Sequence, residues 1–581
     1  MTLASGSGGN NDQVTEAVGV TPAAMSVPAV EGRARSMLRS GSWRYVPGVT
    51  ARDGTLHVAR TGLATLLTSP EDQKTQPPTY QPNPPVVLAG PHVALARGSD
   101  VRIAAGLEDI RGTATVSFMS GPNRRFDERV EHQAGIDVSV TRSVATLTIW
   151  SDEDREPRRV RMELDGPRTS DVQITLRQRN GRLTVSVDGQ PFPVQRQVFG
   201  RQAWFGMSAE KSFVISSLDA SPLRGTRLRV EDMARDPFAG VTPSRTGLAS
   251  VAAAHGRGDK RIGTAVDLAQ LLANPRYARY VIRNFNEIQT ETMAKFQALQ
   301  PRRGEFQFAE LDALVAFAER HDLDVQGHAL VFGEAYPRWL HRAMGKASKD
   351  EALAIMRRHI TEVVRRYDGH HGHGLIQRWD VVNEPFDPDH WGRLNKDTIW
   401  YRAIGESYIE EAFEAARAAN PDGEFGLNDW SIETDRDRRQ AVIDLLRRMP
   451  QGTVDYVGLQ AHFDEDTLDD DAVMEAILGG GLPRIFQEFA GLGVEVRVSE
   501  ASVARNGDAH AQAAVYARLL GACLRSANCI GFNMWGATSN EWYFTTTPDR
   551  GIGDDAPTTQ SGDGPIVERP AMQAMRRAAA G

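Results

Sequence analysis

Apolar residues recur with two different periods along this chain, and the change falls near residue 225. Before that point apolar and polar residues alternate, as in "VQITLRQRNGRLTVSVDG", which begins at Val172. Alternation is typical of half-buried strands, and the Asn180-Gly181 pair tolerates the positive φ of a tight hairpin turn. Helical periodicity is nearly absent here, so this part predicts an antiparallel β-sandwich.

After about residue 250, short β-rich runs alternate with amphipathic helical segments such as 310–321 and 406–420. Eight runs have strand character: 261–266, 284–291, 325–331, 378–384, 424–430, 456–463, 494–500 and 529–536. Eight β-then-α units favour a (β/α)8 TIM barrel over an open doubly wound sheet. No glycine-rich dinucleotide fingerprint follows the first run, which also weakens the open-sheet alternative.

The fold class predicted is therefore multidomain, with an all-β sandwich preceding a (β/α)8 barrel. A chain of 581 residues is too long for one core. We expect a flexible leader at 1–40, the sandwich at 41–225, a linker at 226–254 and the barrel at 255–581. The leader is not read as a signal peptide, because Met1 to Val30 contain no Lys or Arg and no long apolar run.

Composition excludes several classes of partner. The formal net charge is −8 and no basic footprint is present, so we expect no nucleic-acid partner. No apolar run is long enough to span a bilayer, so we expect no membrane partner.

Cys523 and Cys529 are the only cysteines. They are too few for a thiolate metal site, and their spacing fits either a local bridge or two ordinary core thiols.

Histidines 370, 371 and 373, in "GHHGHG", resemble a metal-binding tract by composition. They precede the fourth strand run, which puts them at the face of the barrel opposite the expected site. We therefore expect no metal and no cofactor.

Polar, titratable or aromatic residues end seven of the eight strand runs: Glu291, His328, Asn383-Glu384, Asn428-Asp429, Gln460 with His462, Glu500 and Trp535. The active residues of TIM barrels lie at the carboxyl ends of the strands. A single such residue is usually a solvated or core group. Their recurrence in one register predicts a polar pocket at the mouth of the barrel.

Two carboxylates stand out in this pocket, because Glu384 ends the fourth run and Glu500 the seventh. These strands lie on opposite sides of an eight-stranded barrel, so the carboxylates can face each other across its mouth. A facing pair is what glycoside hydrolysis requires, with one group protonated and the other ionised. Desolvation and a neighbouring carboxylate can raise the pKa of the proton donor.

The barrel region resembles glycoside hydrolase family 10, the family of retaining endo-β-1,4-xylanases. The similar segments are "GHALVFGEAYPRWL", "RWDVVNE", "GLNDW", "VGLQAHF", "VEVRVSE" and "ACLRSANCIGFNMWG". The resemblance implies that Glu384 is the acid/base and Glu500 the nucleophile. It also implies sugar contacts from Glu291, Lys295, His328, Asn383, Gln460, His462, Trp535 and Trp542.

The same resemblance implies a disulfide between Cys523 and Cys529. A disulfide favours an oxidising compartment, so we expect a secreted protein whose native signal peptide is absent from this sequence.

The chain departs from the family pattern around the expected glycone subsites, at Thr292, Phe296, Phe332, Gly333 and Ala335, and after Glu500 at Ala501-Ser502. Losing polar groups that contact substrate hydroxyls removes discrimination between sugars. A xylanase-like enzyme acting on plant-derived glycans is the first hypothesis. The alternatives are a tomatinase-like glycosidase of the same family acting on a saponin, and a non-catalytic glycan-binding protein.

The sandwich is open to two interpretations. Its last part resembles a laminin-G or concanavalin-type lectin, and Trp43, Trp150 and Trp204 are candidates for stacking on sugars. Core packing explains the same tryptophans, in which case the domain is a scaffold for the barrel.

Overall fold

The structure is a computed structural model. It describes residues 35–38, 49–59, 66–67, 92–94, 100–119, 135–150, 158–164, 170–177, 182–192, 202–222, 229–231, 238–390, 392–505, 508–539, 556–560 and 565–581.

The N-terminal part contains two antiparallel sheets that share one apolar core. In order, the first sheet contains Gln190–Phe192, Arg182–Val187, Ser170–Arg177, Asp100–Arg111, Ser212–Pro222, Thr55–Ala59 and Val49–Arg52, with Arg35–Ser36 beside Ser212–Pro222. The second contains Arg158–Glu163, Val144–Trp150, Gly135–Val140, Ala114–Met119, Gln202–Ala209, His92–Ala94 and Arg229–Glu231. Alternating residues such as Leu56 and Val58 are buried between the sheets. The predicted β-sandwich is confirmed.

The predicted hairpin strands also pair as expected, with Leu176 opposite Leu183. The turn at Asn180-Gly181 and the residue Trp43 lie outside the described residues. Trp150 and Trp204 lie in strands of the second sheet.

Short strands appear in segments predicted as leader and linker. Arg35–Ser36 pair with Ala220 and Asp219, and Met37 beside them is buried. Arg229–Glu231 pair with His92–Ala94. Strands of two or three residues are too short to show an alternating pattern, which explains why the sequence does not reveal them. The division into domains stays a prediction.

The C-terminal part is a closed parallel barrel. Its strands are β1 (Arg261–Val266), β2 (Glu287–Thr290), β3 (Asp324–Phe332), β4 (Arg378–Asn383), β5 (Glu424–Asp429), β6 (Tyr456–Leu459), β7 (Glu495–Val503) and β8 (Cys529–Met534). Each pairs in parallel with the next, and β8 returns to β1 with Gly531 opposite Arg261. All eight predicted strands are confirmed. Their residues are almost continuously buried, because helices cover the outside and side chains fill the inside.

Two helical segments precede β1, Leu248–Ala252 and Ala253–Arg257 (a π-helical turn). The helices that follow the strands are Leu268–Ala273, Pro275–Asn284, Phe296–Leu299, Ala309–Arg320, Arg338–Met344, Lys349–Arg366, Ile399–Ile404, Tyr408–Ala419, Arg436–Arg448, Glu465–Asp469, Asp471–Leu478, Leu482–Ala490, Ala509–Arg525 and Pro570–Ala579. Ser348 caps Lys349–Arg366 by accepting from the Glu351 N–H, while the Glu351 carboxylate accepts from the Ser348 N–H. In the described part of the chain, no helix is both long and apolar enough to span a membrane.

A buried polar network crosses the barrel interior. Arg497 on β7 forms an ion pair with Glu287 on β2, and both side chains are fully buried. Arg497 also donates to Gln326 Oε1 at 2.6 Å, and Gln326 donates to Asp380 Oδ1 at 3.0 Å. Tyr456 OH donates to the same Asp380 oxygen at 2.9 Å. Buried charges are costly unless they are paired and hydrogen-bonded, so the network fixes the register of the five strands β2, β3, β4, β6 and β7.

The predicted disulfide between Cys523 and Cys529 is present. It joins helix Ala509–Arg525 to the start of β8, and both residues are fully buried. A bridge stabilises mainly by restricting the unfolded chain.

Replacing both cysteines with alanine is expected to lower the free energy of unfolding by about 2 kcal/mol, the loop-closure value for so short a loop. Urea unfolding of the variant and of the oxidised wild type measures this difference in free energy. The wild type in reductant should approach the variant, and equal stability of the variant and the oxidised wild type would contradict the expectation.

His359 is a fully buried imidazole that stacks on Phe296, with ring centroids 3.7 Å apart. Among the described residues, neither of its ring nitrogens has a hydrogen-bond partner. Burial lowers the pKa of His359 to about 3. The unfolded chain binds a proton there below its ordinary pKa of 6.5, but the folded chain does not. Stability should therefore fall as the pH decreases from about 6.5 towards 3.

When the pH is lowered from 7 to 4.5, the free energy of unfolding should decrease by about 3 kcal/mol less in His359→Phe than in the wild type. The difference follows from about 1.4 kcal/mol for each pH unit below the ordinary histidine pKa. Urea unfolding at the two pH values measures the difference. His370→Phe, at an exposed loop position, is the matched control. Parallel loss of stability in His359→Phe and the wild type would contradict this role of His359.

Candidate active site

The predicted site residues lie at the carboxyl end of the barrel, although two of the strands continue past them. Asn383 ends β4, and Glu384 follows it. Glu500 and His328 were expected to end their strands, but β7 runs on to Val503 and β3 to Phe332. Register shifts follow His328 and Val498, so the chain remains extended while it bends around the site.

Glu500 is a buried carboxylate surrounded by donors. Its Oε1 accepts from Asn428 Nδ2 at 2.7 Å and lies 3.5 Å from His328 Nδ1. Its Oε2 lies 3.4 Å from His462 Nε2. Burial alone would raise the pKa of Glu500, but His328, His462 and Lys295 outweigh it, and the pKa is lowered. Glu500 is therefore held in its ionised form.

Glu384 has different surroundings from Glu500, since it is only half-buried. Its Oε1 accepts from Gln460 Nε2 at 3.0 Å and from Asn383 Nδ2 at 3.2 Å. Its backbone has a φ of 50°, in the left-handed region that costs a non-glycine residue free energy. The bond from Glu384 N–H to Asn428 O, at 2.8 Å, holds this backbone, and strain of this kind clusters at functional sites.

Two asparagines connect the glutamates. Asn428 on β5 donates through Nδ2 to Glu500 Oε1 at 2.7 Å and to Asn383 Oδ1 at 2.8 Å. Asn383 in turn donates to Glu384. Ser499 fixes the orientation of Asn428 by donating to its Oδ1 at 2.6 Å. The carboxylates thus lie in one hydrogen-bonded site that spans β4, β5 and β7.

His328 is held from below by Asp380, whose Oδ2 lies 2.9 Å from His328 Nδ1. The ring of Trp535, which follows β8, contacts His328 and His462 edge-on, with centroids 5.3 and 6.3 Å away. Lys295 Nζ lies 5.7 Å from the Trp535 ring and 5.5 Å from the Phe332 ring. These residues add an aromatic surface and a cation to the site.

Of the remaining predicted contacts, Glu291 is buried directly after β2. Trp542 lies outside the described residues. The contacts above bring together the other eight predicted residues: Lys295, His328, Asn383, Glu384, Gln460, His462, Glu500 and Trp535.

The residues that depart from the family pattern are accommodated in different ways. A Cβ at Gly333 would lie 2.8 Å from Thr398 Cγ2, so Thr398 occupies the space for a side chain. Ala335 has a φ of 51°. Phe296 is buried in an aromatic cluster with His359, Trp339 and Trp400 rather than facing open space.

Sequence reasoning assigned no role to Asp380, Ser502 or Glu433. Asp380 stood out only as a carboxylate inside an apolar run. Ser502 Oγ lies 2.7 Å from His462 Nδ1. Glu433, in the loop after β5, is buried, and burial raises its pKa to about 7. No local pattern reveals these contacts.

Within the described ranges, no group of three or more His, Cys, Asp or Glu side chains is placed to hold a metal ion. Histidines 370, 371 and 373 are exposed, and His371 pairs with Asp368 at 2.9 Å.

A (β/α)8 barrel that sets two glutamates in unlike surroundings at its carboxyl end has the architecture of a glycoside hydrolase. Residues 248–575 match the model of Glycosyl hydrolase family 10, and the chain belongs to that family. It is a xylanase-like glycosidase.

The two relatives and the solved structure named below match between 49% and 58% of this chain. Endo-1,4-beta-xylanase 2 of Claviceps purpurea is 30% identical over 290 residues, which are 49% of this chain and 81% of the relative. Endo-1,4-beta-xylanase B of Paenibacillus barcinonensis is 29% identical over 310 residues, 50% of this chain and 88% of the relative. The crystal structure of a family 10 endo-beta-1,4-xylanase from Gloeophyllum trabeum has a TM-score of 0.50 and 26% identity, covering 58% of this chain and 99% of that one.

Proposed function

We propose that this protein hydrolyses β-1,4-linked xylan-type glycans with retention of configuration, with Glu500 as nucleophile and Glu384 as acid/base. The observation that supports it most is the contrast between the two glutamates. Glu500 is buried with its pKa lowered by surrounding donors, as a nucleophile that must be ionised requires. Glu384 is half-buried and bound by two neutral amides.

In the first step Glu500 attacks the anomeric carbon, and Glu384 gives its proton to the departing oxygen. A glycosyl-enzyme ester forms while the glycosidic bond breaks. In the second step Glu384 removes a proton from water, which attacks the same carbon and releases Glu500. Two inversions give net retention, which requires carboxyl groups about 5–5.5 Å apart.

The other predicted contacts fit substrate binding. Asn383 and Gln460 have amide groups beside Glu384, where sugar hydroxyls would lie. Trp535 has a flat apolar face suited to a pyranose ring, and Lys295 lies next to it. We assign His328, His462 and Glu291 to the same sugar-binding surface.

The substrate assignment rests on the relatives named as endo-1,4-β-xylanases. Hydrolysis of xylan, aryl β-xylosides, aryl β-glucosides and saponin glycosides should be compared. The expected result is the highest kcat/KM on xylan or its oligosaccharides. Preference for a saponin, or no turnover of any substrate, would overturn the assignment.

The chemical roles have a separate test. A 2-deoxy-2-fluoro-β-xylobioside with a dinitrophenyl leaving group should label Glu500, as detected by peptide mapping. NMR of fresh hydrolysis products should show the β-anomer first. A label on another residue, or the α-anomer first, would contradict the mechanism.

We further propose that the protein is secreted and that a sandwich domain precedes the barrel domain. The disulfide supports an oxidising compartment. Separate apolar cores in the two parts support the division. Limited proteolysis of the full chain should cut first between Glu231, which ends the last strand of the sandwich, and Leu248, which begins the first helix of the barrel part. Initial cleavage within either core would oppose the division.

A further inference from the structure

His462 lies between two side chains of β7. Its Nε2 is 3.4 Å from Glu500 Oε2, and its Nδ1 is 2.7 Å from Ser502 Oγ. Ser502 is only 4% exposed, so its hydroxyl is a fixed neighbour of the imidazole rather than a solvated group. A neutral imidazole carries a proton on only one of its ring nitrogens. The hydrogen bond at Nδ1 therefore decides whether His462 presents an Nε2–H donor to Glu500.

A serine hydroxyl can both donate and accept a hydrogen bond. Beside a neutral imidazole, Ser502 Oγ–H can donate to Nδ1 of His462, which leaves the proton on Nε2. Beside a cationic imidazole, the same oxygen accepts from Nδ1–H. Nε2–H therefore faces Glu500 in both protonation states. A carboxylate at position 502 could only accept a hydrogen bond from Nδ1–H of His462. The imidazole would then carry a proton on Nε2 only in its cationic form.

Several charged groups face this imidazole from different elements. Burial lowers the pKa of His462, but the hydrogen bond and charge of Glu500, with the charges of Glu384 and Glu433, raise it above the ordinary value. Those carboxylates come from β7, the end of β4 and the loop after β5, and the charge of Lys295 also acts on Glu500. These carboxylates therefore shift the loss of charge by the imidazole towards alkaline pH.

We propose that Ser502 is a positioning residue, which keeps the Nε2–H of His462 directed at Glu500 after the imidazole loses its charge. The consequence is that attack by Glu500 persists into alkaline solution. This inference rests on the proposed role of Glu500 as nucleophile.

The test is the rate of inactivation of the full chain by a dinitrophenyl 2-deoxy-2-fluoro-β-xylobioside. The leaving group needs little help from an acid, so deprotonation of Glu384 does not dominate the pH profile. Between pH 6 and pH 9, the wild-type rate constant is expected to change by less than about threefold. In Ser502→Ala it should fall by about tenfold over the same range, because without the Ser502 donor most of the neutral imidazole would carry its proton on Nδ1 instead of Nε2. Ser502→Thr keeps the hydroxyl and should restore the wild-type profile.

Ser499→Ala is the matched control. Ser499 lies on the same strand and donates to Asn428, which donates to the other oxygen of Glu500 and does not titrate. Its effect on the rate should be equal at every pH.

A Ser502→Ala profile parallel to the wild type would overturn the role of Ser502, as would a Ser502→Thr profile resembling Ser502→Ala. If the wild type itself is not labelled on Glu500, the proposed function fails instead, so the two failures are distinguishable.

Discussion

Replacement of Glu500 by glutamine is expected to reduce kcat on an aryl β-xylobioside on the order of 10⁵-fold, as loss of a covalent nucleophile does in other enzymes. The amide is uncharged, so no glycosyl-enzyme ester can form. Glutamine has nearly the same shape, and its oxygen can still accept from Asn428, so folding should be retained. Steady-state kinetics with thermal unfolding of the same samples provide the measurement.

Glu433→Gln is the matched control, because it removes a second buried carboxylate from the same end of the barrel without touching the anomeric carbon. Its loss in kcat should be far smaller. Full activity of Glu500→Gln in a well-folded sample would rule out Glu500 as the nucleophile. Exogenous azide should restore turnover of Glu500→Ala with the product in the inverted α configuration.

The Glu384→Gln variant is expected to lose activity in a way that depends on the leaving group. General acid catalysis contributes about 10²–10⁴-fold, and a leaving group that departs without a proton does not need it. Hydrolysis of xylan should fall by the full amount. Bond cleavage in a dinitrophenyl glycoside should be nearly unaffected, so a burst of dinitrophenol should precede a slow release of the sugar.

The burst separates this role from a structural one. Gln460→Ala removes a neighbouring amide proposed to bind a sugar hydroxyl and leaves the carboxyl group of Glu384 in place. That variant should lose activity on all leaving groups to a similar degree. An equal loss on xylan and on the dinitrophenyl glycoside in Glu384→Gln would contradict the role of Glu384 as acid/base.

The barrel could be predicted because the pattern of each of its strands is contained in a few consecutive residues. A strand buried on both faces is a continuous apolar run, and turns or helices separate the runs, so all eight appear in the sequence. Glu384 and Glu500 could be proposed because strand order puts their ends across from each other. The hairpin around Asn180-Gly181 was visible for the same reason, since alternation and turn chemistry are both local.

The contacts that tune the site could not be predicted in this way. Asn428 and Glu500 are 72 positions apart, and their bond exists only once the barrel closes. Asp380 appears in the sequence only as a carboxylate within the β4 run, although its place beneath His328 depends on the pairing of β3 with β4. Ser502 meets His462 across 40 positions. Side-chain partners of this kind follow from three-dimensional closure rather than from periodicity.

The amide chain from Glu384 through Asn383 and Asn428 to Glu500 restricts how such barrels can recombine. Its members come from β4, β5 and β7, so a crossover after β4 separates Glu384 from Asn428, the residue that links it to Glu500. A chimaera of two relatives joined at the midpoint could keep every glutamate and still mismatch their spacing. Exchange of β1 to β3 leaves that chain intact, and Ser502 would be transferred together with Glu500 because both lie on β7.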